Sequence, residues 1–368
     1  MAVGLVVTPV LVSGLGQVLY GVYEVLVRLG SYLTPISGRP AEALRLLVAS
    51  RQKSGDAATQ QRAVGGALIV WLLFLPLAVA GGAILTWFAP ALCGVEAPLA
   101  GVVRLACGLL VAAVLLGGPL AIPESVLYGM NLGYKRMELQ ASLSLVGGLL
   151  TAGAVYAGLG LAGVAGAELL LAALTGAAYW LIARAHVAWL GLARPSADDI
   201  RSCVAVSGWL SVGDLVAKLL LASDLVIIGA LLSPAIVTTY VLTGYAARTL
   251  VAVYSAAITA AMPGLGSLIG RRQFAWATLV RREMLVLTWL FAAAVGTTIL
   301  LWNRAFLLLW VGAGQWSGSI VNLLLVVTAV QSAFIRADSY VIDAALEPRS
   351  RVRIGALAAV LTLASMVV

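Results

Sequence analysis

Charged residues are scarce in this chain, and so are cysteine and histidine. Only 10% of the 368 residues are charged, whereas 62% are hydrophobic. The single histidine, His186, stands beside Arg184, and the cysteines show no spacing typical of metal ligands: Cys93, Cys107 and Cys203. The sequence therefore predicts no metal site, no catalytic residues and no cofactor, and we expect a protein that is not an enzyme.

A long polar stretch is also missing, which excludes a separate soluble domain. A membrane glycosyltransferase or ligase would need a sizeable soluble loop with acidic or metal-binding residues, and no loop here is large enough. No Lys or Arg precedes Arg28, so the cationic start of a signal peptide is absent. The chain begins and ends inside apolar segments, and we expect it to be most of a longer protein.

What is present is a series of apolar segments, each long enough to cross a bilayer as a helix of about 20 residues. The segments are continuous rather than alternating, which favours an all-α polytopic membrane protein over a β-barrel. Prolines such as Pro119 and Pro123 predict kinks. The sequence predicts eleven helices, at 1–15, 18–36, 64–90, 101–130, 139–157, 161–186, 204–232, 236–262, 284–311, 319–346 and 352–368.

Basic residues predict the orientation of these helices. Most Lys and Arg residues lie in alternate loops, those that contain Arg51, Arg136, Arg194, Arg272 and Arg351. Cytoplasmic loops carry such an excess, so even-numbered helices should end in the cytoplasm. The net charge of +8 therefore reflects topology and gives no reason to expect a nucleic-acid partner.

Matching residues recur at a nearly fixed separation in the two halves of the chain. Four identities lie 215 residues apart: Gly55 and Gly270, Trp87 and Trp302, Val126 and Val341, Arg136 and Arg351. Six helices return the chain to its starting side, so this register predicts parallel repeats, with substrate bound at their interface near the midplane. We expect an N-terminal six-helix bundle at 1–190 with a short first helix, and an incomplete C-terminal bundle at 200–368.

Polar residues form stripes on the second, seventh and eighth helices. Tyr23 and Tyr240 lie 217 residues apart, and by that separation Arg248 falls within one helical turn of the position that matches Arg28. The spacing of four and three residues puts each of two stripes on one helical face. These stripes are Tyr20, Glu24, Arg28 and Ser31 on the second helix, and Ser207, Ser211, Asp214 and Lys218 on the seventh. Cations inside a bilayer usually face a wet cavity, so we expect Arg28, Lys218 and Arg248 to recognise an anionic cargo.

The acidic residues in these segments allow two interpretations. Glu24–Arg28 and Asp214–Lys218 are substrate-site neighbours, or they are i,i+4 pairs that neutralise each other and permit insertion. Glu124 and Asp338 lie 214 residues apart in the fourth and tenth helices. They respond to a coupling proton or cation, or they neutralise nearby cations in the helix packing.

Several stretches resemble oligosaccharide flippases. The run from Ser223 through Asp224 to Tyr240 resembles their seventh-to-eighth helix region, and Met262–Ser267 with Arg271–Phe274 resembles the segment that follows. Leu19–Tyr23, with 45–56 behind it, resembles the first-half counterpart. The resemblance implies the polysaccharide flippase branch of the multidrug/oligosaccharidyl-lipid/polysaccharide (MOP) superfamily. It implies two six-helix bundles around a central cavity, in the fold of the multidrug and toxin extruders (MATE).

The resemblance and the cations together predict a flippase for undecaprenyl-diphosphate-linked oligosaccharide in cell-surface polysaccharide biosynthesis. It would work by alternating access in the bacterial cytoplasmic (inner) membrane, in contact with membrane lipid and with a coupling cation or proton. Two alternatives remain open at this point. A MATE-type multidrug or cation antiporter would be expected to have an acidic cavity, and a lipid II flippase would share the cationic one.

Overall fold

The computed structural model describes residues 2–51 and 56–344, and these residues fold almost entirely into α-helices, with no β-strand among them. Eight of the helices are long and apolar enough to cross a membrane, or nine if one bent pair counts as a single span. The predicted all-α, multi-pass architecture is confirmed. The predicted eleventh helix, 352–368, lies outside the described residues.

The first compact unit contains residues 2–234. Its helices are α1 (Ala2–Ser31), α2 (Leu33–Ile36), α3 (Pro40–Arg51), α4 (Ala57–Leu92), α5 (Ala100–Leu120), α6 (Ile122–Gly129), α7 (Gly133–Tyr156), α8 (Gly160–His186) and α9 (Ala197–Leu231).

The second compact unit begins at Ala235. Its described helices are α10 (Pro234–Thr243, whose first residue closes the first unit), α11 (Tyr245–Gly270), α12 (Phe274–Trp310) and α13 (Ser319–Ala344). The division by packing places α9 with the first unit, whereas the repeat in the sequence assigns it to the second bundle. The predicted bundle boundary between 190 and 200 stays a prediction.

Helix α3 is the one described α-helix that the sequence prediction missed. The sequence predicts a basic loop here, but Pro40 stands at the first position of α3 and Glu42 lies in its first turn. Proline is preorganised for a helix start, and an acidic residue there complements the helix dipole. Its residues Leu44 and Val48 are fully buried in the core that α4, α6, α8 and α9 also build.

Breaks in the long helices fall where the sequence has glycine or proline. α1 is interrupted at Gly16, whose φ of 77° and ψ of 168° are open to glycine but strained for other residues. This break separates the first two predicted helices. The predicted fourth helix breaks at Ala121, between Pro119 and Pro123. The predicted eighth helix bends by 49° between α10 and α11, at Gly244.

Candidate substrate site on α1 and α9

The polar stripe of α9 lies on a continuous helix and is tied to the segment that follows α1. Lys218 Nζ lies 3.2 Å from Asp214 Oδ2, so the predicted i,i+4 pair is formed. The same ammonium donates a hydrogen bond to the carbonyl of Ser31, the last residue of α1. Carbonyls at a helix C-terminus lack intrahelical donors and carry negative partial charge. Lys218 therefore joins the C-terminus of α1 to α9.

A second cation, Arg39, reaches the same carboxylate from the turn before α3. Its Nη1 lies 3.3 Å from Asp214 Oδ1, and its Nη2 donates to Glu42 Oε1. The side chains of Arg39, Asp214 and Lys218 are only 20, 16 and 19% exposed, so these charges are partly withdrawn from solvent. Burial lowers the pKa of Arg39, and the nearby Asp214 carboxylate opposes this shift.

The backbone of Arg39 is unusual for a residue with a side chain. Its φ is 47°, and the preceding Gly38 has φ 79°. A Cβ on Gly38 would stand 2.7 Å from Phe74 Cδ2, so only glycine fits there without movement. Positive φ at a non-glycine residue is uncommon and costs free energy. This strained turn directs the guanidinium of Arg39 towards α9.

Arg28 differs from both of these cations. It lies in the span Val3–Ile36, its Nε is buried without a hydrogen-bond partner, and it forms no ion pair with any residue that the structure describes. The predicted partner Glu24 accepts a hydrogen bond from Tyr20 instead, at 2.9 Å. The side chain of Arg28 is half-buried. The role of Arg28 in recognising an anionic cargo stays a prediction.

Two further polar contacts in this unit were not predicted. Tyr32 Oη and Ser223 Oγ are 2.9 Å apart, which adds a second link between the end of α1 and α9. Tyr23 Oη donates to Glu168 Oε1 on α8 at 3.2 Å. Tyr23 is only 9% exposed, so its hydrogen bond to Glu168 joins α1 to α8 at a buried position. Pairing of side chains this far apart in the chain leaves no periodic signal in a single sequence.

Arg248 lies in the second unit and has a backbone partner. Its Nη2 donates to the carbonyl of Val241, in the last turn of α10. Asn303 Nδ2 donates to the carbonyl of Thr243 at 2.8 Å, beside the same break. A helix break leaves carbonyls without intrahelical donors. Arg248 and Asn303 satisfy two of them at the bend around Gly244.

The two predicted ion-coupling residues lie in different surroundings. Glu124 is half-buried in the first turn of α6, beside the Ala121 break. Asp338 Oδ1 accepts from Arg281 Nε at 2.9 Å and lies 2.8 Å from Arg281 Nη2. Both side chains of this pair are nearly half exposed. Asp338 thus neutralises an arginine of α12, and a coupling role for either residue stays a prediction.

The cysteines and the metal-binding residue types give no candidate site in the part of the chain that the structure describes. The three cysteines are buried and unbridged. Within the described residues, no group of His, Cys, Asp and Glu is arranged to hold a metal ion. The polar groups available in the first unit are cations, carboxylates and hydroxyls on helices that are otherwise apolar.

No protein-family model matches the chain, and no curated protein matches it significantly in sequence. Solved structures do match. An inward-facing multidrug resistance MATE family transporter of the MOP superfamily aligns with 98% of this chain and 84% of its own length, at a TM-score of 0.71 and 14% identity. An outward-facing transporter of the same description aligns over 98 and 82%, at a TM-score of 0.63 and 17% identity.

A third similar structure is a MOP superfamily transporter from Pyrococcus furiosus, described as having a binding pocket of reverse polarity that suggests a different function. It aligns with 95% of this chain and 80% of its own length, at a TM-score of 0.59 and 17% identity. At such identities the likeness concerns the architecture. This chain has the fold of the MATE transporters of the MOP superfamily.

Proposed function

We propose that this protein is a flippase that moves a polyprenyl-diphosphate-linked oligosaccharide, with undecaprenyl as the expected lipid, across the cytoplasmic membrane by alternating access. The fold supports a transporter, because the similar solved structures are transporters that are described in inward-facing and outward-facing conformations. The choice of cargo depends on the charges that this chain places in its spans.

The observation that carries the proposal is the unpaired guanidinium of Arg28 within an apolar span. A charged side chain at the centre of a bilayer costs about 2.5–3.5 kcal/mol on insertion scales. A bound diphosphate would offset that cost, and a planar guanidinium matches phosphate oxygens with two parallel hydrogen bonds. Lys218 and Arg39 add two more cations near the C-terminus of α1.

The polarity of the binding pocket differs among the structural neighbours. The Pyrococcus furiosus transporter shows that a pocket of reverse polarity, described as suggesting a different function, occurs on this fold. Arg248 stays a predicted cargo residue, and its bond to the carbonyl of Val241 gives it a role at the bend around Gly244. Any direction of transport requires that cargo and coupling ion differ in affinity for the two conformations. Glu124 and Asp338 are the residues proposed for the coupling proton or cation.

A multidrug or cation antiporter is the second candidate. The carboxylates of Glu24 and Glu168, held by Tyr20 and Tyr23, are the observation that favours it, because an organic cation requires an acidic site. A lipid II flippase would share the diphosphate chemistry and differ only in the sugar.

Complementation separates these candidates. The gene is expressed in bacteria that lack their own polysaccharide flippase, and surface polysaccharide is scored on gels. We expect restoration by the wild-type protein and loss with Arg28→Ala at normal membrane levels. Resistance to organic cations without restored polysaccharide would favour the antiporter, and rescue of cells depleted of lipid II flippase would favour that substrate.

A further inference from the structure

We propose that Arg39 and Lys218 form a binding site for a diphosphate group, and that Asp214 occupies this site until the diphosphate displaces it. The identity of the anion rests on the proposed function. The inference adds Arg39, which the sequence did not indicate, and it gives Asp214 the role of an internal competitor rather than of a ligand.

The position of Asp214 between two cations is the first argument. One carboxylate oxygen faces Arg39 Nη1 at 3.3 Å, and the other faces Lys218 Nζ at 3.2 Å. The two cations come from different parts of the chain, the turn before α3 and the middle of α9, and converge on one carboxylate. An anion with two oxygens already sits where a phosphate would bind.

The looseness of these contacts is the second argument. Charge-assisted hydrogen bonds between nitrogen and a carboxylate are typically about 2.7–2.9 Å long. Both contacts of Asp214 are longer, and among the described residues each carboxylate oxygen faces one cation. A diphosphate carries more negative charge and more acceptor oxygens, so it could approach both cations closely. Diphosphate binding would therefore replace the long contacts of Arg39 and Lys218 with Asp214 by shorter contacts with the phosphate oxygens.

The strained turn at Gly38 and Arg39 is the third argument. Gly38 and Arg39 both have positive φ, and Phe74 Cδ2 would stand 2.7 Å from a Cβ on Gly38, so the packing leaves this turn little freedom. Strain of this kind persists where the surrounding structure requires it, and it is concentrated at ligand sites and switches. A purely structural ion pair on a flexible arginine would not require such a backbone.

The charge on Asp214 has a conformational consequence. The Arg39–Asp214 pair ties α9 to the turn before α3, whereas Lys218 also holds the carbonyl of Ser31. A diphosphate that contacts both Arg39 and Lys218 would take over this tie, whereas loss of the Asp214 charge without ligand would remove it.

Calorimetric titration of the full chain in nanodiscs tests the site, with inorganic diphosphate as the first probe. Asp214→Asn keeps the shape and removes the competing charge, so we expect about tenfold tighter binding, within the usual range of coupling between sites. Arg39→Gln and Lys218→Gln should each weaken binding about tenfold, and Arg39→Lys should fall between Arg39→Gln and wild type. Arg184→Gln, an exposed arginine stacked on Trp180, is the matched control and should bind like wild type.

A second arm uses undecaprenyl diphosphate in the nanodisc lipid. Tighter binding of both probes by Asp214→Asn supports the site and a lipid-borne anion. Tighter binding of inorganic diphosphate alone supports the site and assigns it to a soluble anion. Equal or weaker binding of both probes by the Asp214→Asn protein would overturn the proposal.

Spin labels at positions 46 on α3 and 212 on α9, both exposed, test this tie. Without ligand, Asp214→Asn should lengthen the distance between the labels, and diphosphate should restore the wild-type distance in this variant. An unchanged distance in Asp214→Asn without ligand would contradict the tie. If the wild-type protein failed to complement but still bound diphosphate, the proposed function would be wrong and this site would stand. If the wild-type protein complemented but Asp214→Asn did not change the affinity for diphosphate, only this site would be wrong.

Discussion

Arg28 in the first unit and Arg248 in the second lie within one helical turn of matching positions in the predicted repeat, yet their guanidinium groups have different surroundings. Arg28 Nε is buried without a partner, whereas Arg248 donates to the carbonyl of Val241 beside the Gly244 bend. An arginine inside a span can therefore serve a ligand or the backbone. Depth and residue type do not distinguish these uses, but the hydrogen-bond partner does.

The largest expected effect concerns Arg28. Substitution Arg28→Gln should reduce transport of the lipid-linked cargo at least about tenfold, because a charge-assisted contact to the diphosphate is lost. The thermal midpoint in detergent should stay the same or rise, because the unpaired Nε is removed. Flipping in proteoliposomes and thermal unfolding measure the two effects. A large fall in the midpoint together with lost transport would show that Arg28 supports the fold.

Arg248 should show the opposite pattern. Substitution Arg248→Ala leaves the Val241 carbonyl without its donor, which costs about 1–3 kcal/mol for a buried group. Arg248→Lys keeps one donor and should recover part of this loss. Thermal unfolding of both variants provides the comparison. If Arg248→Ala lost transport at an unchanged thermal midpoint, Arg248 would act on the cargo as Arg28 does.

The break at Gly16 gives a smaller effect of a different origin. The positive φ of Gly16 is accessible to glycine but strained for other residues, so Gly16→Ala should destabilise the protein by about 1–2 kcal/mol. Gly101 on α5 has helical backbone and no atom near the site of a Cβ, so Gly101→Ala is the matched control. Alanine there should be neutral or stabilising. Equal midpoints for the two variants would contradict the strain at Gly16.

The smallest expected effect lies outside the spans, at the N-cap of α4. Asp56 accepts from the hydroxyl of Thr59 and the amide of Ala58, and these hydrogen bonds lower its pKa. The contribution of Asp56 to stability is thus present above the unfolded pKa of about 3.9 and is lost as the pH falls through the lower folded value. Asp56→Ala should lower the midpoint slightly at pH 7 and leave it unchanged near pH 2. A difference that persists at the lower pH would exclude this cap.

The sequence predicted most of the helices because apolar length and breakers are local signals. Pro119 and Pro123 mark the Ala121 break, and the boundary between the first two predicted helices, 1–15 and 18–36, falls at Gly16. Helix α3 was missed because it is short and weakly apolar among basic residues. Pro40 followed by Glu42 was the available signal for its start.

Within the site, helical spacing predicts contacts between residues of one helix and no others. The spacing of Asp214 and Lys218 gave their pair, because residues four apart share a helical face. The same rule was wrong for Glu24 and Arg28, because Tyr20 engages the carboxylate at 2.9 Å. Arg39 pairs with Asp214, and Glu168 accepts from Tyr23. These partners lie far apart in the chain, and a single sequence does not predict such contacts. The bond from Arg248 to Val241 depends on a side-chain rotamer that spacing does not fix.

The most direct test of the account compares two cargoes in one preparation. The full chain is reconstituted in proteoliposomes, and translocation of a polyprenyl-diphosphate-linked oligosaccharide is measured beside uptake of an organic cation, for the wild type and for Arg28→Gln. The account predicts that the wild type translocates the diphosphate lipid, that Arg28→Gln loses this activity, and that neither takes up the cation. Uptake of the cation without translocation of the diphosphate lipid, unaffected by Arg28→Gln, would contradict it.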